Sequence, residues 1–392
     1  MLTLIKNGEV YAPEYIGKKD VLLVADKIGF IEDEIEIPES FDQVKVIQAS
    51  GKLVVPGFID AHVHIIGGGG EGGYKTRTPE IQLTDATLAG ITTLVGVIGT
   101  DGTTRTMPAL LAKARALEEE GITCFVHTGS YQVPVKTLTG KIEDDLILID
   151  KIIGVGEIAI ADHRSSQPSA EEIARLSSEA RVGGLLSGKS GVVNIHVGDS
   201  MDHLEVIEQV VEKTEVPISQ FYPTHINRNH HLFHAGIKYA KNGGYIDFTT
   251  STIKKFIEDG EVKASTALKL ALEAGVDISR MTFTSDGQAS LPDFDSTGNL
   301  AGLSIGKCMS LYEAVKDAIT IDGVSAENSF RAVTENPANI LKLSQKGRIE
   351  AGKDADILLM HKETYQIETV FAKGRMMVEN GQALIRGTFE GE

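Results

Sequence analysis

Hydrophobic and polar positions follow two alternating patterns along the middle of the chain. Short apolar runs rich in β-branched residues alternate with longer stretches in which apolar residues recur every three or four positions. The first pattern predicts buried strands, and the second predicts amphipathic helices. The predicted strands cover residues 53–60, 92–99, 122–128, 152–161, 191–197, 216–222, 245–250 and 281–285, and the predicted helices cover 108–120, 169–186, 203–213, 231–242 and 264–274.

The two ends of the chain show short strands separated by turns, without helical periodicity. We therefore predict an α/β fold, a (β/α)8 TIM-type barrel over residues 53–344 with a small β-sandwich domain formed by residues 1–52 plus 345–392. A doubly wound open sheet is the alternative for the middle of the chain. No G-x-G-x-x-G or Walker loop opens a helix, which disfavours the nucleotide-binding version of that sheet.

Composition and charge exclude several classes of partner. The 392 residues carry a formal net charge of -17, which disfavours nucleic acid and anionic membrane surfaces as partners. Cys124 and Cys308 are the two cysteines, and their wide separation suggests no disulfide framework. The chain shows no apolar run of membrane-spanning length and no signal-peptide core at its start. We therefore expect a cytoplasmic protein.

Metal-ligand residue types recur where the predicted strands end. His62 and His64 are two apart at the end of the first barrel strand, so their side chains point to the same face. Later strands contribute Glu157, His196, His225 and Asp286. The strand ends of such a barrel meet at one rim, and imidazole and carboxylate groups are typical zinc ligands. The sequence thus predicts a hydrolytic zinc site, and hydrogen-bonded core histidines are the alternative.

Several segments resemble one enzyme family. They are residues 62–71, with four glycines before Glu71, and residues 76–80, 130–131, 162–165, 196–199, 223–229 and 285–287. Together they resemble the isoaspartyl (β-aspartyl) dipeptidases of the amidohydrolase superfamily, over nearly the whole chain. The resemblance implies metal-dependent hydrolysis of small acidic β-aspartyl dipeptides, in which a metal-bound hydroxide attacks the side-chain-derived amide carbonyl. It also implies a homo-oligomer.

The resemblance assigns expected roles to individual residues. Asp286 would orient the hydroxide and pass its proton to the leaving amine, and Tyr131 would donate to the developing oxyanion. Glu71 would hold the substrate ammonium, while Arg164 and Arg228 would each bind a carboxylate. The supporting substrate contacts would come from Gly69, Gly70, Thr100 and Ser290, and the metal ligands would be His62, His64, Glu157, His196, His225 and Asp286.

Glu157 departs from the pattern of the family, which has a carboxylated lysine at this position. Glutamate also presents two oxygens, but on a shorter side chain. We hypothesise that Gly156 forms a bulge that carries Glu157 inward, so that Glu157 and a hydroxide bridge two Zn²⁺ ions per subunit. The alternative is a site with one metal ion.

Three other functions stay open at this point. An N-acyl amino acid deacylase or a cyclic-amide hydrolase of the same superfamily would use the same kind of site, and one deacetylating branch also has a glutamate ligand. Glu71 disfavours the deacylase, because an N-acylated substrate has no ammonium group to bind. A non-catalytic scaffold is disfavoured because the chain retains a full set of ligand-type residues.

Overall fold

The structure, a computed structural model, describes residues 2–38, 43–294 and 300–391. The chain begins with short strands, as the pattern at its start predicts. They are β1 (Leu2–Tyr11), β2 (Tyr15–Val24), β3 (Lys27–Glu32), β4 (Val44–Gln48) and β5 (Lys52–Pro56). They belong to a sheet that the C-terminal strands complete.

Eight further strands form the barrel. They are β6 (Phe58–Val63), β7 (Ile91–Gly96), β8 (Thr123–Thr128), β9 (Ile152–Ile160), β10 (Val192–Val197), β11 (Phe221–Thr224), β12 (Ile246–Thr249) and β13 (Met281–Thr284). Strands β6 to β11 pair in chain order, and β12 pairs in parallel with β13. The backbone N–H of Ile226 donates to Asp247 O at 3.1 Å, and Val63 forms a parallel bridge with Gly287. These contacts link the two sheets on both sides, which confirms the predicted barrel.

Helices alternate with these strands and cover the barrel. They are α1 (Leu83–Thr87), α2 (Met107–Glu120), α3 (Ile142–Leu148), α4 (Ala170–Ser187), α5 (Glu205–Lys213), α6 (His230–Lys241), α7 (Lys254–Glu258), α8 (Ala264–Glu273), α9 (Met309–Thr320), α10 (Ala326–Arg331) and α11 (Glu335–Ile340). Helix α4 begins with a capping box, in which Ser169 and Glu172 each accept the other's backbone N–H. Among the described residues, none of the helices combines the length and apolarity needed to cross a membrane.

The C-terminal strands complete the small β domain. After the hairpin of β14 (Ser290–Phe294) and β15 (Leu300–Ile305) come β16 (Ile357–His361), β17 (Ile367–Ala372), β18 (Arg375–Glu379) and β19 (Gln382–Ala383). Strand β5 lies between β1 and β16 and therefore joins the two chain ends in one sheet. The hydrophobic core of this small domain includes Ile5, Val21, Val54, Ile357 and Phe371. A small β domain from both termini is thus confirmed.

Two predicted strands differ from the structure. The stretch 53–60 divides at Gly57, whose N–H donates to Asp356 O at 2.8 Å, so residues 53–56 pair within the terminal sheet rather than the barrel. A Cβ at Gly57 would lie 2.3 Å from Thr92 Oγ1, and this close approach lets the chain pass from one sheet to the other. The predicted strand 216–222 is wrong in its first half. Pro217 has no N–H for a ladder, and a 3-10 turn, Ile218–Gln220, precedes β11.

Candidate metal and substrate site

The structure brings the six predicted metal ligands together at the C-terminal rim of the barrel. They are placed by strands β6, β9, β10, β11 and β13 or by the residues that follow them, and they are His62, His64, Glu157, His196, His225 and Asp286. The side chain of Asp286 is 13% exposed and the other five are less exposed. The cluster is therefore largely shielded from solvent.

Glu157 lies at the centre of this cluster. Its Oε2 is 3.3 Å from His62 Nε2 and 3.2 Å from His196 Nδ1, and its Oε1 is 3.5 Å from His64 Nε2. One carboxylate thus faces imidazoles from both sides of the rim. Such a position allows either a bridging or a single-metal role for Glu157.

A β-bulge places Glu157 there. Val155 pairs with Val193 and Ile158 with Ile195, so β9 contains one more residue than β10 over this interval. A Cβ at Gly156 would lie 2.6 Å from Asn194 O, and its φ is +141°, so only glycine fits without strain. The predicted bulge at Gly156 is confirmed, and it re-aims the side chain that follows.

Unpartnered buried atoms in the cluster fit a metal ion. His62 Nε2, His64 Nδ1, Glu157 Oε1 and Asp286 Oδ1 are buried and make no hydrogen bond to the described residues. Burying such atoms without a partner is costly. Ligand atoms of His62, His64 and Asp286 lie within 4.8 Å of one another, as do those of His62, Glu157 and His225. The donor set of imidazoles and carboxylates suits a divalent ion such as zinc.

The opposite nitrogens of three imidazoles are held by polar neighbours. His62 Nδ1 is 2.9 Å from Asn194 Oδ1, His225 Nδ1 is 2.6 Å from Thr249 Oγ1, and His196 Nε2 is 3.0 Å from Asp162 Oδ2. Such contacts orient metal-binding imidazoles and select their tautomer. The sequence reasoning assigned no role to Asn194, Thr249 or Asp162, although residue 162 lies in one of the family-like segments.

Two ligand positions have a left-handed backbone. The φ angle is +65° at His225 and +52° at Asp286, a region that residues other than glycine seldom adopt. His225 directly follows β11 and Asp286 lies two residues after the end of β13, where the chain turns across the rim. Left-handed residues of this kind cluster at functional sites, where the surrounding structure holds them in place.

The pKa values in the cluster reflect its burial and its mixed charges. Burial lowers the pKa of His62, but Glu157 and Asp286 raise it to about 9. Burial raises the pKa of Glu157, but the neighbouring imidazoles, His62 foremost, hold it well below its usual range. The pKa of Asp286 is likewise lowered, against the effect of burial, by His64. Both carboxylates are therefore ionised near neutral pH.

Tyr131 lies beside the cluster, with its hydroxyl 2.8 Å from His196 Nδ1. Burial and the charge of Glu157 raise the pKa of Tyr131 well above its usual value. The phenol therefore keeps its proton at neutral pH and can donate a hydrogen bond.

The predicted substrate residues of the glycine loop line a neighbouring cavity of about 270 Å³. Its lining includes Gly69, Gly70, Glu71, Tyr74, Arg77, Thr100, Asp101 and Thr104. Glu71 Oε1 accepts a hydrogen bond from Thr100 Oγ1 at 2.8 Å. A Cβ at Gly69 would lie 2.7 Å from Ser290 Cβ, which brings Ser290 against the loop. Glu71, Thr100 and Gly69 thus line this cavity, and Ser290 lies against Gly69.

The two predicted arginines have different surroundings. Arg164 forms a bidentate pair with Asp162, with Nε 3.0 Å from Oδ1 and Nη2 2.7 Å from Oδ2. Its Nη1 lies 3.4 Å from Glu71 Oε1, and its guanidinium carbon is 5.4 Å from the centre of the Tyr131 ring. The half-buried side chain of Arg228 makes no hydrogen bond or ion pair with the described residues. Arg228 is therefore the more available of the two for a ligand carboxylate.

Arg105 supports the glycine loop, a role that the sequence did not suggest. Its side chain is almost fully buried and donates to Ile66 O at 3.1 Å and to Gly68 O at 2.7 Å. It also lies 3.6 Å from Asp101 Oδ2. A buried guanidinium that bonds to carbonyl oxygens fixes the loop that ends in Glu71. Its position in the chain, 34 residues after Glu71, carries no signal of this contact.

Known proteins are similar to this chain at several levels. The model of the amidohydrolase family matches residues 53–377. A β-aspartyl dipeptidase from Fervidobacterium islandicum AW-1, whose crystal structure contains the β-Asp-Leu dipeptide, is 43% identical, with a TM-score of 0.91 and 100% coverage of both chains. A dihydroorotase from Lactobacillus gasseri is 24% identical over 92% of this chain and 89% of its own length.

A more distant structure shares the fold alone. N-acetylglucosamine-6-phosphate deacetylase from Pasteurella multocida is 16% identical, with a TM-score of 0.66 over 97% of this chain and 100% of its own. The family expected from the sequence motifs is thus confirmed by the family model and by a full-length relative. The chain belongs to the amidohydrolase family, and along its whole length it is similar to the β-aspartyl dipeptidases of that family.

Proposed function

We propose that this protein hydrolyses β-aspartyl dipeptides in a metal-dependent reaction. The grouping of Glu71 and Arg164 beside a cluster of imidazoles and carboxylates is the observation that carries the proposal. The full-length similarity to a β-aspartyl dipeptidase crystallised with β-Asp-Leu supports the same substrate class. The enzyme would act in the cytoplasm on small acidic dipeptides and assemble into a homo-oligomer.

The charges of the substrate complement the polar groups at the cavity. A β-aspartyl dipeptide carries one ammonium and two carboxylates. Glu71 would bind the ammonium, and the guanidinium of Arg228, which pairs with none of the described residues, would bind a carboxylate in a bidentate manner. Arg164 already shares two nitrogens with Asp162, so it would offer its remaining Nη1 to the second carboxylate. Thr100 would hold Glu71 in place through its hydrogen bond.

The chemistry of the cluster fits hydrolysis of an amide. His62, His64, Glu157, His225 and Asp286, together with His196, would hold zinc, with two ions per subunit if Glu157 bridges them. Bound zinc supplies Lewis acidity, which activates water near neutral pH and polarises the scissile carbonyl. Both carboxylates at the cluster centre are ionised and thus complement a divalent charge.

Two residues of the chain would handle protons and developing charge. Asp286 is ionised near neutral pH, so its carboxylate can accept the proton of the attacking water and deliver it to the leaving amine. Tyr131 remains protonated, so its hydroxyl can donate to the carbonyl oxygen as negative charge develops there.

The test compares two isomeric dipeptides. Zinc-loaded protein should cleave β-Asp-Leu and leave α-Asp-Leu nearly untouched, and removal of zinc by a chelator should abolish the cleavage. Equal cleavage of the two isomers would contradict the proposed specificity. Metal content measured by mass spectrometry would distinguish one zinc ion per chain from two.

The variant Glu71→Gln tests the ammonium contact. A hydrogen bond to a charged group contributes about 1.5–3 kcal/mol, so its loss should lower kcat/KM about tenfold or more. Glu80→Gln is the matched control, because Glu80 is an exposed carboxylate in the segment between the glycine loop and α1 and is 3.5 Å from Lys113. An unchanged kcat/KM for Glu71→Gln would assign Glu71 to loop structure alone.

Cyclic-amide hydrolysis is the second candidate, because a relative at 24% identity is a dihydroorotase. Dihydroorotate has no ammonium group. If that reaction is the native one, the protein should hydrolyse dihydroorotate faster than β-Asp-Leu, and Glu71→Gln should leave its rate unchanged. The deacylase alternative has support from fold similarity only, and assays with N-acetyl amino acids in parallel would test it.

A further inference from the structure

Asp162 connects the two halves of the site. This residue lies two positions after the end of β9 and is only 3% exposed. Oδ2 lies 3.0 Å from His196 Nε2 and 2.7 Å from Arg164 Nη2. Oδ1 accepts from the side-chain Nε of Arg164 at 3.0 Å and from its backbone N–H at 2.7 Å. Both carboxylate oxygens of Asp162 therefore have polar partners, and Oδ2 contacts the imidazole of His196 and the guanidinium of Arg164 at the same time.

The contact with Asp162 determines which nitrogen of His196 carries the proton. Arginine is always charged in proteins, so the carboxylate that it pairs with is ionised and can only accept hydrogen bonds. His196 Nε2 must therefore donate to Asp162. In the neutral ring, Nδ1 then carries the lone pair. This atom faces the cluster, 3.2 Å from Glu157 Oε2 and 2.8 Å from the Tyr131 hydroxyl, which a bound metal ion would replace as its partner.

The backbone around Asp162 is built to hold it in this position. Ala161, directly before it, has a φ of +51°. Its carbonyl oxygen accepts the N–H of Ser200, at 3.0 Å, in the loop that follows the strand of His196. A Cβ at Gly198 would lie 2.2 Å from Ala161 O and 2.6 Å from Asp162 Cβ. The loop carrying Asp162 is thus packed against the loop after β10 with no space for a side chain at residue 198.

We propose that Asp162 is a positioning residue that presents the Nδ1 atom of His196 to the metal and couples this ligand to the substrate-binding arginine, Arg164. This inference rests on the proposed metal-dependent function. Carboxylate partners of this kind typically change metal affinity 10- to 100-fold when they are removed. Asp162 also fixes the direction of the Arg164 guanidinium, so its loss should affect substrate binding as well.

The test measures metal affinity directly. Wild-type protein and the variants Asp162→Asn and Asp162→Ala are titrated with zinc in competition with a chelator of known affinity. The control is Asp199→Asn, because Asp199 is an exposed carboxylate on the loop after β10. We expect zinc affinity to fall about 10- to 100-fold in both Asp162 variants and to stay unchanged in the control. The thermal midpoint of the metal-free proteins, measured in parallel, separates weaker zinc binding from unfolding. If Asp162→Ala fails to fold, Asp162→Asn still provides the test, because asparagine preserves the shape of the side chain.

Steady-state kinetics at saturating zinc provide the second readout. KM for β-Asp-Leu should rise in Asp162→Asn, because Arg164 loses its bidentate partner. If the role of Asp162 were purely structural, a folded variant would keep both the KM and the zinc affinity of the wild type. Zinc affinity within twofold of wild type in folded Asp162→Asn would overturn the inference. Hydrolysis of dihydroorotate rather than β-Asp-Leu, with weakened zinc binding in the variants, would refute the proposed substrate but support the role of Asp162. A wild-type protein that binds no zinc would overturn both.

Discussion

Replacement of Lys346 by Met should strongly destabilise the junction between the small β domain and the barrel. The ammonium of Lys346 is buried at 5% side-chain exposure and lies 2.6 Å from Asp356 Oδ2 and 2.8 Å from Asp354 Oδ2. It also donates to Thr123 Oγ1 at 2.7 Å, at the start of barrel strand β8. Burial lowers the pKa of Lys346, but the two aspartates raise it above its usual value. Methionine would leave the carboxylate of Asp356 without this counter-charge, and Asp354 would keep only its contact with Lys27.

The size of the effect follows from this burial. Removal of one partner from a buried ion pair costs about 3–5 kcal/mol. The entropy of unfolding is about 2.1 cal/mol/K per residue near 60 °C, or about 0.8 kcal/mol/K for a chain of 392 residues. Dividing the first quantity by the second predicts that the thermal midpoint of Lys346→Met falls by about 4–6 °C.

Differential scanning calorimetry at neutral pH would measure this shift. Lys27→Met is the matched control, because Lys27 contacts the same Asp354 at 2.6 Å but its side chain is 38% exposed. An exposed pair contributes about 0–1 kcal/mol, so the control should shift the midpoint by about 1 °C or less. Equal midpoints for Lys346→Met and wild type would refute the reasoning, since the uncompensated carboxylate of Asp356 would then carry no penalty.

Two further predictions concern stability. Hydrogen bonding from Arg348 lowers the pKa of Glu14 from 4.5 to about 2, so the contribution of Glu14 is present above pH 4.5 and is lost as the pH falls through 2. Glu14→Gln should therefore lower the thermal midpoint at pH 6 and have little effect near pH 2, and a shift independent of pH would argue against this ion pair. Gly191→Ala should lower the thermal midpoint more than Gly188→Ala. Both glycines have a positive φ, but their surroundings differ. A Cβ at residue 191 would lie 2.2 Å from a carbonyl oxygen of α4, whereas a Cβ at residue 188 would have nothing within 4 Å. Similar midpoints for the two variants would show that the helix moves away to accommodate the methyl group.

The alternation of strands and helices was predictable because it depends on local pattern. Each barrel strand contains a short apolar run, and each major helix contains apolar residues at helical spacing. Because parallel barrel strands end at one rim, the sequence alone predicted that His62, His196 and His225 belong to a single site. The bulge at Gly156 was predictable because a glycine stood before the one residue that departed from the family pattern.

Local pattern failed where the chain passes between two sheets. Residues 53–60 form one continuous apolar run, yet Gly57 divides it between the terminal sheet and the barrel. Pro56 and Gly57 predict kinks in this run, but both sheets bury the same residue types, so the pattern does not show that the chain changes sheets there. The contact that defines it, between Gly57 N and Asp356 O, joins residues almost 300 positions apart.

Polar partners beyond the metal ligands were also invisible in the sequence. Asn194 and Asp162 hold the outer nitrogens of His62 and His196, and Arg105 holds the carbonyls of the glycine loop. An asparagine or aspartate has many local uses, and nothing in its neighbours along the chain indicates which distant group it meets. Their roles depend on angles and distances that exist only after the barrel closes.

By itself, the amino-acid sequence determined the order of the elements, the barrel and the set of imidazoles and carboxylates at its rim, because these follow from side-chain periodicity and from strand direction. Tertiary structure alone decided how those groups are oriented, as the central position of Glu157 and the pairing of Arg164 with Asp162 show. The physical reason is that hydrophobic burial depends on pattern and tolerates many details, whereas a hydrogen bond requires two particular atoms to meet within about 3 Å and in line.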